Sequence, residues 1–238
     1  MQSLKGPLSR VVFVHGAGES HKIWTYQAAR FKDCVAIDLP GHPDGKGEKT
    51  IEGYAAFVDD LLIQGKLHDV VLVGHSMGGA IVLELALRAP SYVKGIVLVA
   101  TGARLRVTPR ILEGIKADYM KTTKLIVDYA LSPAAPDWLR KTALNELQLV
   151  RPEVVLGDFE ACDKFDRMRE VQRIGLPTLI ICGSEDKLTP VKYSEYLNRN
   201  ISGSRLVVIR GAGHMVTIER PDQVNDEIEM FLNCLAKA

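Results

Sequence analysis

The segment VVLVGHSMGGAIVLELALRA, residues 70–89, contains the turn that decides the fold of this chain. An apolar, strand-like run ends at Gly74, and the apolar spacing of a helix begins after Ser76. A serine at the start of a helix commonly caps it, but capping alone does not require glycines on both sides. The pattern Gly74-x-Ser76-x-Gly78 instead predicts a sharp strand-to-helix turn, in which small neighbours let a strained serine hold its hydroxyl above a sheet.

Short apolar runs and longer helical patterns alternate along most of the chain. The runs lack polar alternation, which is typical of strands buried on both faces of a sheet. This alternation predicts an α/β fold, a predominantly parallel sheet of about six strands flanked by helices. The predicted strands are 11–15, 34–38, 70–74, 95–100, 178–182 and 205–209. The predicted helices are 22–32, 51–65, 76–89, 190–199 and 221–235.

One long interval interrupts this alternation. Between the fourth and fifth predicted strands the sequence is helical, and it is far longer than the roughly dozen residues that a crossover connection needs. Its helical segments open near prolines, which suit the first turn of a helix. We therefore expect a helical cap inserted at 104–170, with the sheet domain formed by 1–103 and 171–238.

The composition limits the partners of the protein. The 238 residues suffice for one full hydrophobic core, and a net charge of +1 gives no electrostatic reason to expect nucleic acid or an anionic membrane as a partner. No apolar span is long enough for a bilayer, and the start MQSLKGPLSR lacks the apolar core of a signal peptide, which predicts a cytoplasmic protein. The four cysteines form no CxxC pair, so we expect no metal site.

Two further loops follow predicted strands and supply the groups that a reactive serine needs. His214 lies in GAGHM after the last strand, and Asp186 lies in CGSEDKLTP after the fifth, with Glu185 as its close competitor. A buried loop histidine or a turn-capping aspartate would explain either residue alone. Because the carboxyl ends of parallel strands meet at one edge of a sheet, the chain order serine, aspartate, histidine predicts a catalytic triad that includes Ser76.

A second pattern indicates a different enzyme class. Gly16-x-Gly18 follows the first strand and Asp38 ends the second, an arrangement that begins the fingerprint of dinucleotide-binding folds. His21 occupies the position of the third glycine, so the fingerprint is incomplete. A nicotinamide-dependent oxidoreductase is therefore a remote alternative, and a non-catalytic ligand receptor on the same fold is another.

Taken together, the motifs resemble those of α/β-hydrolases of the lipase, esterase and enol-lactonase type, from Val11 almost to the C-terminus. The matching segments are VHGAGESHKIW, IDLPGH, GHSMGG, FDRMREVQRIGLPTLIICGSEDKLTP and GAGHMVTIERPDQVNDEIEMFL. The first β-hairpin usual in the family is missing, because the first predicted strand already begins at Val11, so we expect six strands. PGHPDG also replaces the more usual Gly-x-Gly-x-Ser run after Pro-Gly.

The resemblance implies a role for each motif. The serine would be the nucleophile, the histidine its general base and the aspartate the residue that orients the histidine, without any cofactor. The backbone N–H groups of Met77 and Ala17 would form the oxyanion hole, with Gly18 as the alternative to Ala17. His15 and His75, which flank these loops, are expected to position them.

The expected function is that of a serine hydrolase acting on small-molecule carboxylic esters with small to medium, largely apolar acyl groups, through an acyl-enzyme intermediate. A carbon–carbon bond hydrolase, a lactonase and a cofactor-free perhydrolase use the same triad and are the alternatives. Trp24, Tyr119 and Trp138 are candidate substrate-binding residues, although a core position would suit Trp24 equally well. The oligomeric state is left open.

Overall fold

The computed structural model describes residues 10–237. Residues 1–9 and residue 238 lie outside the described part, so the prediction that the N-terminal segment is not a secretory signal falls almost wholly on residues that are not described. Within the described range, no helix combines the length and the apolar character that crossing a membrane requires.

Six parallel strands form one sheet in the order β2-β1-β3-β4-β5-β6. The strands are β1 (Val11–Val14), β2 (Cys34–Ile37), β3 (Val70–His75), β4 (Val93–Val99), β5 (Thr178–Gly183) and β6 (Arg205–Ile209). Each coincides closely with a predicted strand, so the predicted fold class is confirmed, including the parallel sheet of six strands.

The strand order reverses between β1 and β3. From β1 the chain moves to β2 on one side, then crosses over to β3 on the other side of β1. The loops that leave the carboxyl ends of β1 and β3 therefore diverge and leave a crevice, which is where open α/β sheets bind ligands. Ser76 directly follows β3, and residues 16–19 follow β1.

Helices cover both faces of the sheet, which explains the continuously apolar strands. Leu72 packs in one apolar cluster, whereas Val71 and Val73 pack in the cluster on the opposite face.

The predicted helix 22–32 is a 3-10 turn, His21–Trp24, followed by a short α-helix. The helices are α1 (Thr25–Arg30), α2 (Ile51–Gln64), α3 (Met77–Arg88), α4 (Pro109–Ala117), α5 (Tyr119–Ala130), α6 (Asp137–Leu149), α7 (Pro152–Lys164), α8 (Val191–Asn200), α9 (Val216–Glu219) and α10 (Pro221–Leu235).

The two edge strands depart from the expectation of burial on both faces. Val35 in β2 and Val208 in β6 are 38% and 40% exposed, whereas every residue of β3 and β5 is buried. The reason is their position in the sheet. Each edge strand has a neighbouring strand on one side only, so side chains at its outer side stay partly open to solvent.

Helices α4 to α7 connect β4 to β5 and pack on one another through an apolar cluster of their own. The first predicted helical segment of this interval is broken at Asp118, which ends α4 and caps α5 by accepting the N–H of Lys121 at 3.0 Å. These helices lie within the predicted insertion, residues 104–170, which we call the helical lobe. The exact limits of the two predicted domains stay a prediction.

Candidate active site

Ser76 occupies a strained turn between β3 and α3. Its φ of 52° and ψ of −115° lie in a region that residues with a side chain rarely adopt. Glycines on both sides make this turn possible: a Cβ on Gly74 would lie 2.3 Å from the carbonyl oxygen of Gly78, and one on Gly78 would lie 2.2 Å from that of Val14. The close approach of α3 to the end of β1 therefore fixes where the Ser76 hydroxyl lies.

The three residues predicted to form a triad lie in a hydrogen-bonded series, with His214 between Ser76 and Asp186. His214 Nε2 is 2.9 Å from Ser76 Oγ, and His214 Nδ1 is 2.8 Å from Asp186 Oδ2. Asp186 follows β5 and His214 follows β6, so the carboxyl edge of the sheet brings together residues that are far apart in sequence. The competing residue Glu185 has an exposed side chain, which favours Asp186 as the partner of the histidine.

Asp186 is held as a charged acceptor. The N–H groups of Leu188 and Thr189 donate to its Oδ1, and the Thr189 hydroxyl donates to Oδ2 at 2.8 Å. Burial raises the pKa of Asp186, but the neighbouring imidazole of His214 and the donors from Thr189 outweigh burial, so its pKa lies below the ordinary value. Thr189 is not among the residues predicted from the sequence, although the spacing Asp-x-x-Thr in a loop could have indicated it.

Two carboxylates, one partly exposed and one fully buried, hold the loop that follows β1. Glu19 Oε2 accepts the N–H of Gly16 at 2.6 Å, and Asp158 Oδ2 accepts the N–H of Gly18 at 2.9 Å. Between them, the N–H of Ala17 donates to no group among residues 10–237. Because the Gly18 N–H is already occupied, Ala17 is the better placed of the two candidate oxyanion donors.

The N–H of Met77 is the other candidate donor. Met77 is the first residue of α3, so its N–H has no acceptor inside the helix, and it has none elsewhere in the described part of the chain. The positive end of the α3 dipole adds to the preference for negative charge at this point. The hydroxyl of Thr101 stabilises the turn by donating to the carbonyl oxygen of Ser76 at 2.8 Å.

His75 is a buried cation that joins three loops. Its Nδ1 is 2.9 Å from Glu19 Oε2, and its Nε2 is 2.9 Å from the carbonyl oxygen of His214. Both partners are acceptors, so both ring nitrogens carry a proton. Burial lowers the pKa of His75, but the Glu19 carboxylate, the carbonyl oxygen of His214 and the charge of Asp186 together outweigh burial and raise the pKa above its ordinary value. Conversely, the pKa of Glu19 is lowered: burial raises it, and His75, together with smaller contributions that include the Gly16 N–H, more than offsets this.

His15 is buried in the neutral form. Its Nε2 accepts the N–H of Leu39 at 2.9 Å, so the proton is on Nδ1, which donates to the carbonyl oxygen of Gly16. Burial, with a smaller effect of nearby His42, lowers the pKa of His15 to about 4. His15 and His75 therefore both hold loops around the site, His15 as a neutral ring and His75 as a protonated one.

The histidine loop is anchored to the helical lobe. Glu219 in α9 is buried and accepts the N–H of Gly213 and the N–H of Ser132, both at 3.0 Å. The N–H of His214 donates to the carbonyl oxygen of Ala130 at 2.7 Å. Glu219 is not among the residues predicted from the sequence, since nothing in the local sequence indicates that one of its partners lies in the lobe.

A cavity of about 790 Å³ lies above Ser76 and His214, between the helical lobe and the sheet. Apolar side chains dominate its lobe side, among them Leu105, Ile111, Leu125, Ile126, Leu139 and Phe159. Trp138 also lines this cavity, as the sequence predicts for a substrate-binding residue, and its side chain is 58% exposed.

Trp24 and Tyr119 lie elsewhere, which corrects two predicted substrate-binding residues. Trp24 is fully buried in the core, with its ring centroid 4.8 Å from that of Phe13, because the 3-10 turn directs it onto the sheet. The Tyr119 hydroxyl donates to the carbonyl oxygens of Leu147 and Val150 at 2.8 Å each, so this side chain links helices inside the lobe.

Asp38, the candidate ribose-binding acid of the oxidoreductase alternative, is engaged within its own surroundings. Its Oδ1 accepts the N–H of His21 at 2.8 Å, and its Oδ2 lies 2.8 Å from Nδ1 of the His21 ring. The same His21 replaces the glycine that the dinucleotide fingerprint requires. Both observations disfavour a dinucleotide site at this point.

Comparisons with known proteins identify the family of the chain. The sequence model of the alpha/beta hydrolase family matches residues 11–227. A pimeloyl-(acyl-carrier protein) methyl ester esterase of Neisseria meningitidis is 28% identical over 230 residues, which cover 90% of this chain and 88% of that protein.

Solved structures of similar proteins include esterases. The structure of a thermophilic esterase is 37% identical and superposes with a TM-score of 0.85, covering 97% of this chain and 92% of that one. The enol-lactonase from Burkholderia xenovorans LB400 superposes with a TM-score of 0.87 at 24% identity, covering 97% and 94% of the two chains, a likeness that shows the fold alone. The chain belongs to the alpha/beta hydrolase family, whose members similar to it include esterases.

Proposed function

We propose that this protein is a serine hydrolase that cleaves carboxylic esters with a small to medium, largely apolar acyl group through an acyl-enzyme intermediate. The observation that carries the proposal is the hydrogen-bonded series Ser76 Oγ, His214 and Asp186, with distances of 2.9 and 2.8 Å, at the floor of an apolar cavity. The similarity to proteins named as esterases supports the same class of reaction.

In the acylation step, Ser76 Oγ attacks the carbonyl carbon of the ester while its proton moves to His214 Nε2. The electron pair of the C=O bond moves to the oxygen, and the N–H groups of Ala17 and Met77 stabilise the resulting oxyanion. Asp186 keeps the proton of the resting imidazole on Nδ1 and stabilises the imidazolium that forms. Losing one oxyanion donor typically removes about 3–4 kcal/mol of transition-state stabilisation.

When the tetrahedral intermediate collapses, the bond to the alcohol oxygen breaks and His214 gives its proton to the leaving alcohol. A water molecule then attacks the acyl carbon, and His214 accepts the proton of that water. Collapse of the second intermediate returns the proton to Ser76 Oγ and releases the carboxylic acid. Every group that moves a proton belongs to the chain itself.

The cavity supports the proposed acyl preference. A volume of about 790 Å³ is within the range of small-molecule sites, and the lining on the lobe side is mostly aliphatic. Such a lining favours an apolar acyl chain, because removing apolar surface from water against it lowers the free energy of the bound state.

The first test is hydrolysis of p-nitrophenyl esters from acetate to decanoate by the wild type, Ser76→Ala and the control Ser202→Ala, an exposed serine. We expect turnover by the wild type and Ser202→Ala and none by Ser76→Ala. If no ester is hydrolysed but a fluorophosphonate still labels Ser76, the ester substrate is wrong and the lactonase, carbon–carbon hydrolase and perhydrolase alternatives gain support. Absence of labelling would contradict a nucleophilic Ser76.

A further inference from the structure

A fully buried carboxylate of the helical lobe reaches into the sheet domain. Asp158 lies on α7, and three donors from separate parts of the sheet domain converge on it. The hydroxyl of Tyr54 in α2 donates to Oδ1 at 2.6 Å, and His42 Nε2 lies 2.8 Å from Oδ2. The N–H of Gly18, in the loop after β1, donates to the same Oδ2 at 2.9 Å.

His42 forms a buried ion pair with this carboxylate. Its Nδ1 lies 3.1 Å from the carbonyl oxygen of Pro40, so both ring nitrogens face acceptors and both carry a proton. Burial lowers the pKa of His42, but Asp158 together with backbone hydrogen bonds at Pro40 and Leu39 outweighs burial, and the pKa is raised. Neither side chain is exposed. Apolar side chains of similar volume would often be as stable as such a pair, so stability alone does not account for it.

The geometry of the loop supplies another reason. The Gly18 N–H is taken by Asp158 and the Gly16 N–H by Glu19, so the peptide units before and after the Gly16–Ala17 peptide, which carries the Ala17 N–H, are both held. Gly18 has a φ of 65°, and a Cβ there would lie 2.4 Å from the Leu147 side chain of the lobe. The lobe thus holds the loop both by contact and by a charge-assisted hydrogen bond, which is about twice as strong as a neutral one.

We propose that Asp158 is a positioning residue for the oxyanion hole: through its hydrogen bond to Gly18, the helical lobe sets the orientation of the Ala17 N–H toward the developing oxyanion. The inference rests on the proposed function. It implies that the lobe contributes to transition-state stabilisation as well as to the acyl cavity. Oxyanion donors act through their alignment, so a small rotation of the peptide should lower kcat and leave substrate binding unchanged.

The test compares three variants. Asp158→Ala removes the acceptor, and Asp158→Asn retains one oxygen that can accept the Gly18 N–H. The control Asp163→Ala removes another carboxylate of α7, whose Oδ1 accepts the N–H of Val107 at 3.0 Å, away from the loop. For each we would measure the melting temperature, the fraction of sites titrated by a fluorophosphonate, kcat and KM per titrated site for p-nitrophenyl butyrate, and inhibition by a trifluoromethyl ketone, which forms a tetrahedral adduct with the serine.

For Asp158→Ala we expect kcat per titrated site to fall by roughly 30-fold or more, with KM within about threefold of wild type. The inhibition constant of the trifluoromethyl ketone should rise by a similar factor. Asp158→Asn should recover most of both losses, and Asp163→Ala should keep kcat within about threefold whatever its melting temperature.

If Asp158→Ala does not fold, the apolar replacement of the cluster, Asp158→Leu with His42→Leu and Tyr54→Phe, removes the same acceptor without leaving an unpaired charge. A kcat per titrated site and a ketone inhibition constant close to wild type in either variant would overturn the inference, even if the melting temperature falls. A wild type that neither hydrolyses esters nor reacts with the fluorophosphonate would overturn the proposed function itself, which is a different result.

Discussion

The two carboxylate oxygens of Asp186 have different partners, and this decides the tautomer of His214. Oδ1 accepts two backbone N–H groups, from Leu188 and Thr189, which fixes the plane of the carboxylate. Oδ2 accepts the hydroxyl of Thr189 and also faces His214 Nδ1. The imidazole therefore carries its proton on Nδ1 and offers the lone pair of Nε2 to Ser76, which is the state that a general base needs.

Asp186→Asn should lower kcat by about 10⁴-fold while the protein stays folded, since the amide N–H₂ would face Nδ1 and reverse the tautomer. The matched control is Glu185→Gln, whose side chain is exposed and which should retain kcat. Steady-state hydrolysis of a p-nitrophenyl ester by both variants checks this. Loss of activity in Glu185→Gln together with activity in Asp186→Asn would contradict the assignment.

His15 predicts a particular dependence of stability on pH. Its pKa is about 4 in the folded protein, below the ordinary 6.5, so between these values the unfolded chain binds a proton that the folded protein does not. The contribution of neutral His15 to the free energy of unfolding is complete above pH 6.5 and decreases as the pH falls. The loss reaches about 3 kcal/mol at pH 4. His15→Gln, which keeps an acceptor for Leu39, removes this dependence.

Urea unfolding of wild type and His15→Gln at several pH values between 7 and 4.5 measures the difference. We expect the wild type to lose more free energy of unfolding on acidification than the variant does. Titrating groups that do not interact with His15 are present in both proteins and cancel in the comparison. His42, whose ring centroid lies 4.9 Å from that of His15, is coupled to it and contributes to the measured difference. Parallel profiles would show that His15 is not buried in its neutral form.

At the scale of elements, the packing of α3 against β1 depends on Gly78. A Cβ at this position would lie 2.2 Å from the carbonyl oxygen of Val14, a backbone atom that cannot move without distorting the central strands. The helix could only retreat from the sheet, and Ser76 would move with it. The glycine pattern of the turn is therefore a requirement of element packing as well as of local backbone conformation.

Gly78→Ala should destabilise the protein by about 4 kcal/mol or more, which belongs to the exceptional range for single substitutions. Gly157→Ala is the control: this glycine lies inside α7, its nearest Cβ contact would be 3.5 Å, and alanine is favoured there by about 0.5–1 kcal/mol. Chemical denaturation of both variants tests the contrast. Equal stability of the two variants would contradict the account of the turn.

The strands and most helices could be predicted because each has a local signal in the sequence. The apolar runs gave all six strands, since central strands of a parallel sheet are buried on both faces. The break between α4 and α5 was missed because Asp118 continues a helical pattern while its side chain caps the next helix. The partial exposure of Val35 and Val208 was missed because strand order, which decides what is an edge, is not local.

At the scale of the whole molecule, the cavity exists only because the helical lobe faces the sheet. Its floor is formed by Ser76 and His214 from the sheet domain, and much of its wall comes from α4 to α7. The proximity of Ser76, Asp186 and His214 could be predicted from the sequence because each of them follows a strand. Asp158 and Glu219 could not, because their partners lie across the interface between lobe and sheet domain.

The lobe wall should decide the preferred acyl length. Leu125 on α5 lines the cavity, and Leu125→Trp would fill part of it. We expect kcat/KM for p-nitrophenyl decanoate to fall by about tenfold or more, while that for the acetate changes by less than about threefold, since a lost methylene contact is worth roughly 1–3 kcal/mol. A uniform decrease across the ester series would contradict an acyl site beneath the lobe.

The most direct test of the central claim is a rapid-mixing experiment with p-nitrophenyl butyrate, followed by acid quenching and peptide mass spectrometry. If Ser76 forms the acyl-enzyme intermediate, we expect a burst of about one p-nitrophenolate per active chain and a butyryl group on the peptide that contains Ser76. Ser76→Ala should show neither signal. A butyryl group on another residue, or unchanged turnover by Ser76→Ala, would contradict this expectation.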